Sequence, residues 1–332
     1  MMEKKPTIND IAAMVGVSKA TVSMVISKKD QNISEQTRTK ILQAAKKIGY
    51  VPNLAARSLN TKMSGTIGVI VPDITNPFFA QLARAVEDTA SGADYSVILC
   101  NSDNSPQKET AYANLLVSKQ ADGVILMSGG KDRRPIEIFK QNGVPCVPVD
   151  RCVKGYPEET GVSCDSQAGI AEAVRYLYEK GKRDIAFVGE QSRTSVFEQR
   201  RDAYIRVMTE YGIFKNHMAE GSLDLLGGAK ATKEILSTAK NADAILYCAD
   251  IMAIGGLKLL AENHIRIPGE MGVMGFDNIQ MAGYTSPGLT TMAQPVYEMG
   301  KTACEILFSS LLGNETAKKI VFMPRLIVRD SV

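Results

Sequence analysis

Over the first fifty residues apolar positions recur at intervals of three and four, whereas from residue 66 onward they collect into short continuous runs. Helices are therefore expected in a head, and strands alternating with helices in a body. Thr7-Ile8-Asn9-Asp10 has the form of a capping box, with Thr7 satisfying first-turn amides and Asp10 at the positive end of the helix dipole. Ile8, Ile11 and Val15 then share one face, Ala12 is small enough to admit a neighbouring helix, and Gly16 can take the left-handed conformation that stops the helix. Ser18 caps a second helix that turns Val22, Val25 and Ile26 inward and leaves Ser18, Lys19, Ala20, Thr21, Ser23 and Met24 at outward or end positions. Ser34 caps a third, on which Ile41, Leu42, Ala45 and Ile48 are expected to complete a three-helix core. This spacing is that of a helix-turn-helix, a motif whose second helix enters the major groove of DNA.

Gly49-Tyr50-Val51-Pro52-Asn53 breaks the third helix, and Leu54-Ala55-Ala56-Arg57-Ser58-Leu59 follows as a short helix-capable stretch. Isolated helices below roughly 12 residues are marginal in water, so such a segment is expected to order only against a partner, as a hinge helix on DNA. In the body the strand-like runs are 66–71, 96–100, 123–127 and 145–149, then 184–188, 244–248 and 272–276. Continuous apolar strands alternating with helices imply parallel sheets covered on both faces. The number of runs and the break near 151–165 favour two sheets over one.

Net charge sharpens this division. The whole chain carries 39 Lys and Arg against 36 Asp and Glu, a formal +3 that looks uninformative. Residues 1–62 nevertheless hold eleven bases and four acids, and the remainder is mildly acidic. A small basic head on a larger acidic body points to a nucleic-acid module joined to something else. Across 332 residues, 45% of them hydrophobic, the chain can bury a full core, which argues against long disorder or a coiled-coil rod. No apolar run approaches the roughly 18 residues needed to cross a bilayer, and the amino terminus lacks a secretory apolar stretch, so a cytoplasmic protein is expected.

Six cysteines are scattered without a CxxC pair or a neighbouring His, and they read as buried free thiols. With only His217 and His264, neither in a triad-like neighbourhood, no metal site, cofactor or enzyme is expected. Gly300-Lys301-Thr302 resembles the end of a P-loop, but the leading glycine that motif requires would stand at Pro295. The candidate chemistry lies instead at the carboxyl ends of the strands, where ligands bind in open α/β sheets. Asp73, Asn76, Phe78 and Phe79 follow the first run, Asp150 and Arg151 the fourth, and Asp277 and Asn278 the last. Aromatic faces beside arginine and carboxylate suit a hydroxyl-rich ligand such as a sugar.

From Pro6 to its end the chain resembles the lactose/galactose repressor family of bacterial transcription factors, and within it a ribose-operon-type repressor. The resemblance is carried in order by Thr7-Ile8-Asn9-Asp10-Ile11-Ala12, Gly16 to Ser23, Gly49-Tyr50-Val51-Pro52-Asn53 and Ala56-Arg57-Ser58-Leu59. It continues through Gly68 to Asp73, Asn76-Pro77-Phe78-Phe79, Asp122-Gly123, Gly275-Phe276-Asp277, Leu289-Thr290-Thr291 and Gln294-Pro295. It implies an all-α helix-turn-helix head at 1–52, a hinge at 53–63, and at 64–332 an α/β body of two doubly wound lobes like periplasmic sugar-binding proteins. The N-lobe would comprise about 64–160 and 293–322, the C-lobe about 161–292 and 323–332.

By the same resemblance Thr7, Ser18, Lys19, Ala20, Thr21, Ser23, Met24 and Tyr50 serve DNA contact from the head. Asn53 and Ala56 lie along the hinge in the minor groove, and Leu59 is the wedge in the central base step. Asn76, Phe78, Phe79, Asp150, Arg151, Arg200, Asp277 and Gln294 match ligand-contacting positions, and Asp150-Arg151 with the Asn-Pro-Phe-Phe run suggests ribose or a related small sugar. Three positions depart from the pattern. Met24 stands where many relatives have an arginine able to pair with guanine, Leu223 replaces a stacking aromatic, and Ala249 replaces a common asparagine. The implied partners are pseudo-palindromic double-stranded operator DNA, a small sugar effector and a second copy of the chain, with no membrane. A catabolite-control regulator that binds a phosphocarrier protein is the alternative within the family. The body alone would also fit a transport sugar-binding protein, which would need a secretory signal where the basic head stands.

Overall fold

The computed structural model describes residues 6–27, 30, 32–51, 63–127, 132–151, 161–191, 195–213, 217–314 and 319–332. Two compact units emerge, Met1–Ser64 and Gly65–Val332. The first contains α1 (Ile8–Val15), α2 (Lys19–Ile26) and α3 (Glu35–Lys47). Gly16 ends α1 in the left-handed conformation at φ 72°, as expected of a residue without Cβ. Ser18 Oγ accepts from the Thr21 amide at 3.1 Å, so the start of α2 is capped by the residue its sequence nominates. The Asp10 carboxylate accepts from both the Thr7 amide and the Thr7 hydroxyl, each at 2.7 Å.

Ile11, Val22, Val25, Ile41, Ala44 and Ala45 form the core of this unit, with Ile8, Ala12, Val15, Val17, Ile26, Ile33, Ile48 and Tyr50 packed around it. Leu42 is not part of it and is 49% exposed. Ile41, Ala45 and Ile48 lie three to four residues apart on one face, and a residue directly after Ile41 is turned about 100° away from that face.

In the second unit a four-stranded parallel sheet has the order β2-β1-β3-β4, built from β1 (Thr66–Val71), β2 (Ser96–Asn101), β3 (Gly123–Leu126) and β4 (Cys146–Pro148). Helices α4 (Pro77–Gly92), α5 (Pro106–Ser118) and α6 (Arg134–Gln141) intervene. The chain next forms β5 (Val162–Cys164), then α7 (Ser166–Glu179), β6 (Ile185–Glu190), α8 (Ser195–Glu210), β7 (His217–Gly221), α9 (Leu225–Thr238), β8 (Ala244–Tyr247), α10 (Asp250–Glu262) and β9 (Gly272–Asp277). A 3-10 turn at Gln280–Gly283 precedes β10 (Thr290–Ala293), α11 (Val296–Leu311), β11 (Ile320–Phe322) and β12 (Arg325–Ile327). The second sheet has the order β12-β10-β9-β8-β6-β7, all parallel except β12, while β5 and β11 pair separately. The chain thus leaves the first sheet after β4, returns to pack α11 against α4, and comes back to the second sheet at β12.

β1, β3, β8 and β9 are buried almost end to end, which is why they read as unbroken apolar runs. Of the described cysteines Cys100, Cys164, Cys248 and Cys304 are buried and Cys146 is half-buried, and all five are free thiols. Cys152 lies outside the described residues. Among the described residues no helix is long and apolar enough to cross a membrane.

Candidate functional site

On α2 the inward Val22 and Val25 fix the rotation of the helix, and Lys19, Ala20, Ser23 and Met24 are consequently exposed. Thr21 is half-buried, its hydroxyl 2.8 Å from Ser18 Oγ, so these two residues hold each other at the start of the helix. Thr7 is exposed beside the start of α1, and Tyr50 packs against the core of the head. Asn53, Ala56 and Leu59 lie outside the described residues.

The second candidate site is built where strands of both body sheets end. Asn76 is buried and caps α4, its Oδ1 accepting from the Phe78 amide at 3.0 Å. Phe78 and Phe79 follow on the first turn, in edge-to-face contact at 5.0 Å. Asp150 and Arg151 come two and three residues beyond the end of β4, Arg200 from α8, Asp277 from the last position of β9 and Gln294 directly after β10. All of these are buried, Arg151 and Arg200 each being only 2% exposed. Asp73 is not gathered in the same way. Its Oδ1 accepts from the amide and hydroxyl of Thr75, closing its own turn.

The pairing of these charges is incomplete. Arg151 Nε lies 3.8 Å from Asp150 Oδ2, and Arg200 Nη1 lies 3.8 Å from Asp277 Oδ1, beyond ordinary hydrogen-bond length. Arg200 spends its donors on the Cys248 carbonyl at 2.5 Å and on Ser166 Oγ at 3.1 Å. Arg151 donates through Nη1 to Asn104 Oδ1 at 2.9 Å. Gln294 donates to Asp277 Oδ1 at 2.7 Å. Arg151 Nε and Gln294 Oε1 are buried and make no hydrogen bond. A buried polar atom without a partner costs about 1–3 kcal/mol, so such atoms in one place mark a surface shaped for a polar ligand.

Aromatic rings line the same charges. The Arg151 guanidinium lies 5.2 Å from the Phe79 ring and 5.4 Å from Phe197, while Arg200 lies 3.9 Å from Phe276 and 5.3 Å from Phe197. Burial pushes the Asp150 carboxyl above its ordinary range against the pull of Arg151 and Arg200. Asp277 is likewise pushed well above its ordinary range by burial, with Arg200 opposing and the nearby Asp250 reinforcing. The arrangement offers bidentate donors, carboxyl acceptors and ring faces to a compact ligand bearing several hydroxyls.

Four residues of this constellation escape a reading of the sequence. Asn104 reaches Arg151 because Asp103 and Asn104 both adopt positive φ, 51° and 54°. Ser166 and Phe197 sit at the starts of α7 and α8, and Asp250 supports the turn after β9. An Asp-Asn pair after a strand is a detectable turn signal, whereas the other three carry none. Leu223 is partly buried against the core and Ala249 is buried.

The body defines the class of protein first. Residues 174–332 match the model of a periplasmic binding protein-like domain, and residues 7–53 match that of bacterial regulatory proteins of the lacI family. The chain is 33% identical over 324 residues to catabolite control protein A of Priestia megaterium, covering 97% of both chains. It is 36% identical over 306 residues to the ribose operon repressor of Halalkalibacterium halodurans, covering 92% of this chain and 90% of that one. Among solved structures, a LacI family transcriptional regulator from Enterococcus faecium with bound ribose superposes with a TM-score of 0.74 at 30% identity, over 80% of this chain and 98% of that one. The chain belongs to the lacI family of bacterial regulatory proteins, and it is a sequence-specific DNA-binding transcriptional regulator.

Proposed function

We propose that the body binds a small sugar between its two lobes and that this binding sets the affinity of the head for operator DNA. The observation that carries the reading is the unfinished pairing of Asp150, Arg151, Arg200, Asp277 and Gln294, buried where both sheets end and flanked by the rings of Phe79, Phe197 and Phe276. Asn76 shapes the start of α4 beneath them. Lobe boundaries at about 64–160 with 293–322, and 161–292 with 323–332, place these groups on both sides of the cleft. Ribose is the first sugar to try, since two relatives are a ribose operon repressor and a ribose-bound regulator.

In the head, Lys19, Ala20, Thr21, Ser23 and Met24 read the major groove, with Thr7, Ser18 and Tyr50 holding the helix to the phosphate backbone. Two copies of the chain read the two half-sites. Asn53, Ala56 and Leu59 complete the DNA contact through a hinge over 53–63. Coupling between sugar and DNA sites is reciprocal and typically amounts to about 1–3 kcal/mol.

Thermal melting of the full chain against ribose, other pentoses, hexoses and nucleosides tests the effector reading, because a ligand of the folded state raises Tm by mass action. A sugar that raises Tm and changes operator affinity in a fluorescence anisotropy titration supports it, and a panel with no such member overturns it. Leu59→Ala is expected to reduce operator bending by fluorescence transfer, and unchanged bending would remove Leu59 as the wedge.

A further inference from the structure

Asp250 is the first residue of α10, fully buried, and presents no surface to a ligand. Its Oδ1 accepts from the Thr291 hydroxyl at 2.6 Å and its Oδ2 from the Ile279 amide at 2.9 Å. One carboxylate therefore ties the start of α10 to β10 and to the turn that leaves β9. That turn is unusual, because Asp277 and Asn278 both have positive φ, 120° and 56°, a region non-glycine residues seldom enter. Thr291 Oγ1 also lies 3.4 Å from the Asn278 amide, and Arg329 donates to Asn278 Oδ1 at 2.7 Å. The carboxylate lies so close to β9 that a Cβ on Gly275 would stand 2.1 Å from Asp250 Oδ1, so this position of the strand must be glycine.

The consequence falls on Asp277, whose Oδ1 is met by Gln294 Nε2. Gln294 stands three residues beyond Thr291, so the group that Asp250 holds on β10 and the group that orients Asp277 belong to one short segment. We propose that Asp250 is a positioning residue for the effector site: it holds the strained 277–279 turn and the end of β10 so that Asp277 and Gln294 face the ligand together. The assignment rests on the reading of the cleft as a sugar site, but its structural half stands without any ligand. An asparagine can replace the carboxylate, since its Oδ1 can accept from Ile279 while its Nδ2 donates to a rotated Thr291 hydroxyl. An alanine can do neither.

The experiment compares wild type, Asp250→Ala, Asp250→Asn and Thr291→Val as full chains, by calorimetric titration with ribose or with whichever sugar of the panel binds wild type, and by crystal structures without sugar. Asp250→Ala is expected to weaken sugar binding roughly tenfold or more, the equivalent of a lost buried charge-assisted hydrogen bond, and to release the Asp277–Gln294 contact. Asp250→Asn is expected to stay within about threefold of wild type and to keep the contact. Thr291→Val, which removes one of the two bonds, should fall between. A rescue by asparagine distinguishes positioning from a general loss of packing, which Tm records for each variant. If the turn and the Asp277–Gln294 contact persist in Asp250→Ala, the assignment is overturned, whether or not a sugar binds. If they are lost while wild type binds no sugar of the panel, the positioning role stands and the sugar reading of the cleft falls.

Discussion

On α2 Lys19, Ala20, Ser23 and Met24 are exposed and the surrounding unit is basic, whereas in the cleft two arginines and two aspartates are buried beside one another with their hydrogen bonding incomplete. The head can afford solvated contact groups because DNA brings its own dense charge, and the attraction acts through water and counterions. A neutral sugar, the effector proposed above, offers no such field. Its site must therefore exclude water and hold polar atoms in place beforehand, at the cost of burying charges that are only partly compensated. The two regions thus differ in how much each substitution should cost, and in what solution conditions each should feel.

The largest expected difference is at Arg200. Removing it takes donors from Ser166 and the Cys248 carbonyl and leaves Asp277 without its opposite charge. Breaking one side of a buried pair costs about 3–5 kcal/mol, so Arg200→Ala should lower Tm markedly and abolish sugar binding by titration calorimetry. Lys19→Ala on the exposed face of α2 should leave Tm almost unmoved while weakening operator binding. Equal Tm losses for the two substitutions would erase the contrast between a buried and a solvated site.

Salt should separate the regions next. Residues 1–62 carry eleven bases against four acids, and each phosphate contact releases counterions, so operator affinity should drop by one or more orders of magnitude between about 50 and 200 mM salt. The cleft charges are shielded from solvent and a sugar is neutral, so effector affinity should hardly change over that range. Parallel salt slopes for operator and sugar would break the division of labour. A smaller effect belongs to Met24, which is exposed on α2. Met24→Arg should create a preference for guanine at one operator position, worth about 1–3 kcal/mol, in a binding selection from randomised half-sites. No change in the selected sequences would place Met24 away from the base edges.

The two regions also differ in how far they could be read from residues alone. In the head, Ser18, Gly16 and the Val22/Val25 pair act locally, through caps and helical spacing, and the structure has them where periodicity puts them; Leu42 departs because it adjoins the apolar face without lying on it. In the body the continuous runs of β1, β3, β8 and β9 were legible because burial on both faces leaves them apolar throughout. β7 is an edge strand with alternating exposure and carries His217 and Glu220, so it shows no such run. β10 begins with Thr290 and Thr291, buried threonines whose hydroxyls bond across the fold, a role that no spacing in the sequence announces. The same holds for Asp250: next to Ala249 it looks like an ordinary helix start, and its importance comes from Ile279 and Thr291, brought to it only by the sheet.

Asp250 yields the smallest effect and the finest test of the contrast, because its cost depends on pH. Burial raises its carboxyl to about 6, with the Thr291 and Ile279 hydrogen bonds opposing that shift. An unfolded aspartate titrates near 3.9, so between about pH 4 and 6 the folded chain binds more protons at this position than the unfolded one. Stability contributed by Asp250 is therefore present below that window and is lost as pH rises through it. Other carboxyls work in the opposite sense, Asp132 and Glu270 being held low by hydrogen bonds and ion pairing with Arg134 and Arg266, so the whole-chain profile alone does not isolate the effect. The difference between Asp250→Asn and wild type does. Asparagine keeps the hydrogen-bonding capacity and never ionises, so its Tm relative to wild type should rise from pH 4.5 to pH 7. A difference that does not vary with pH would mean that the Asp250 carboxylate is as well solvated by its neighbours as a surface one, and the distinction drawn between buried and exposed charge would fail at the residue meant to show it most cleanly.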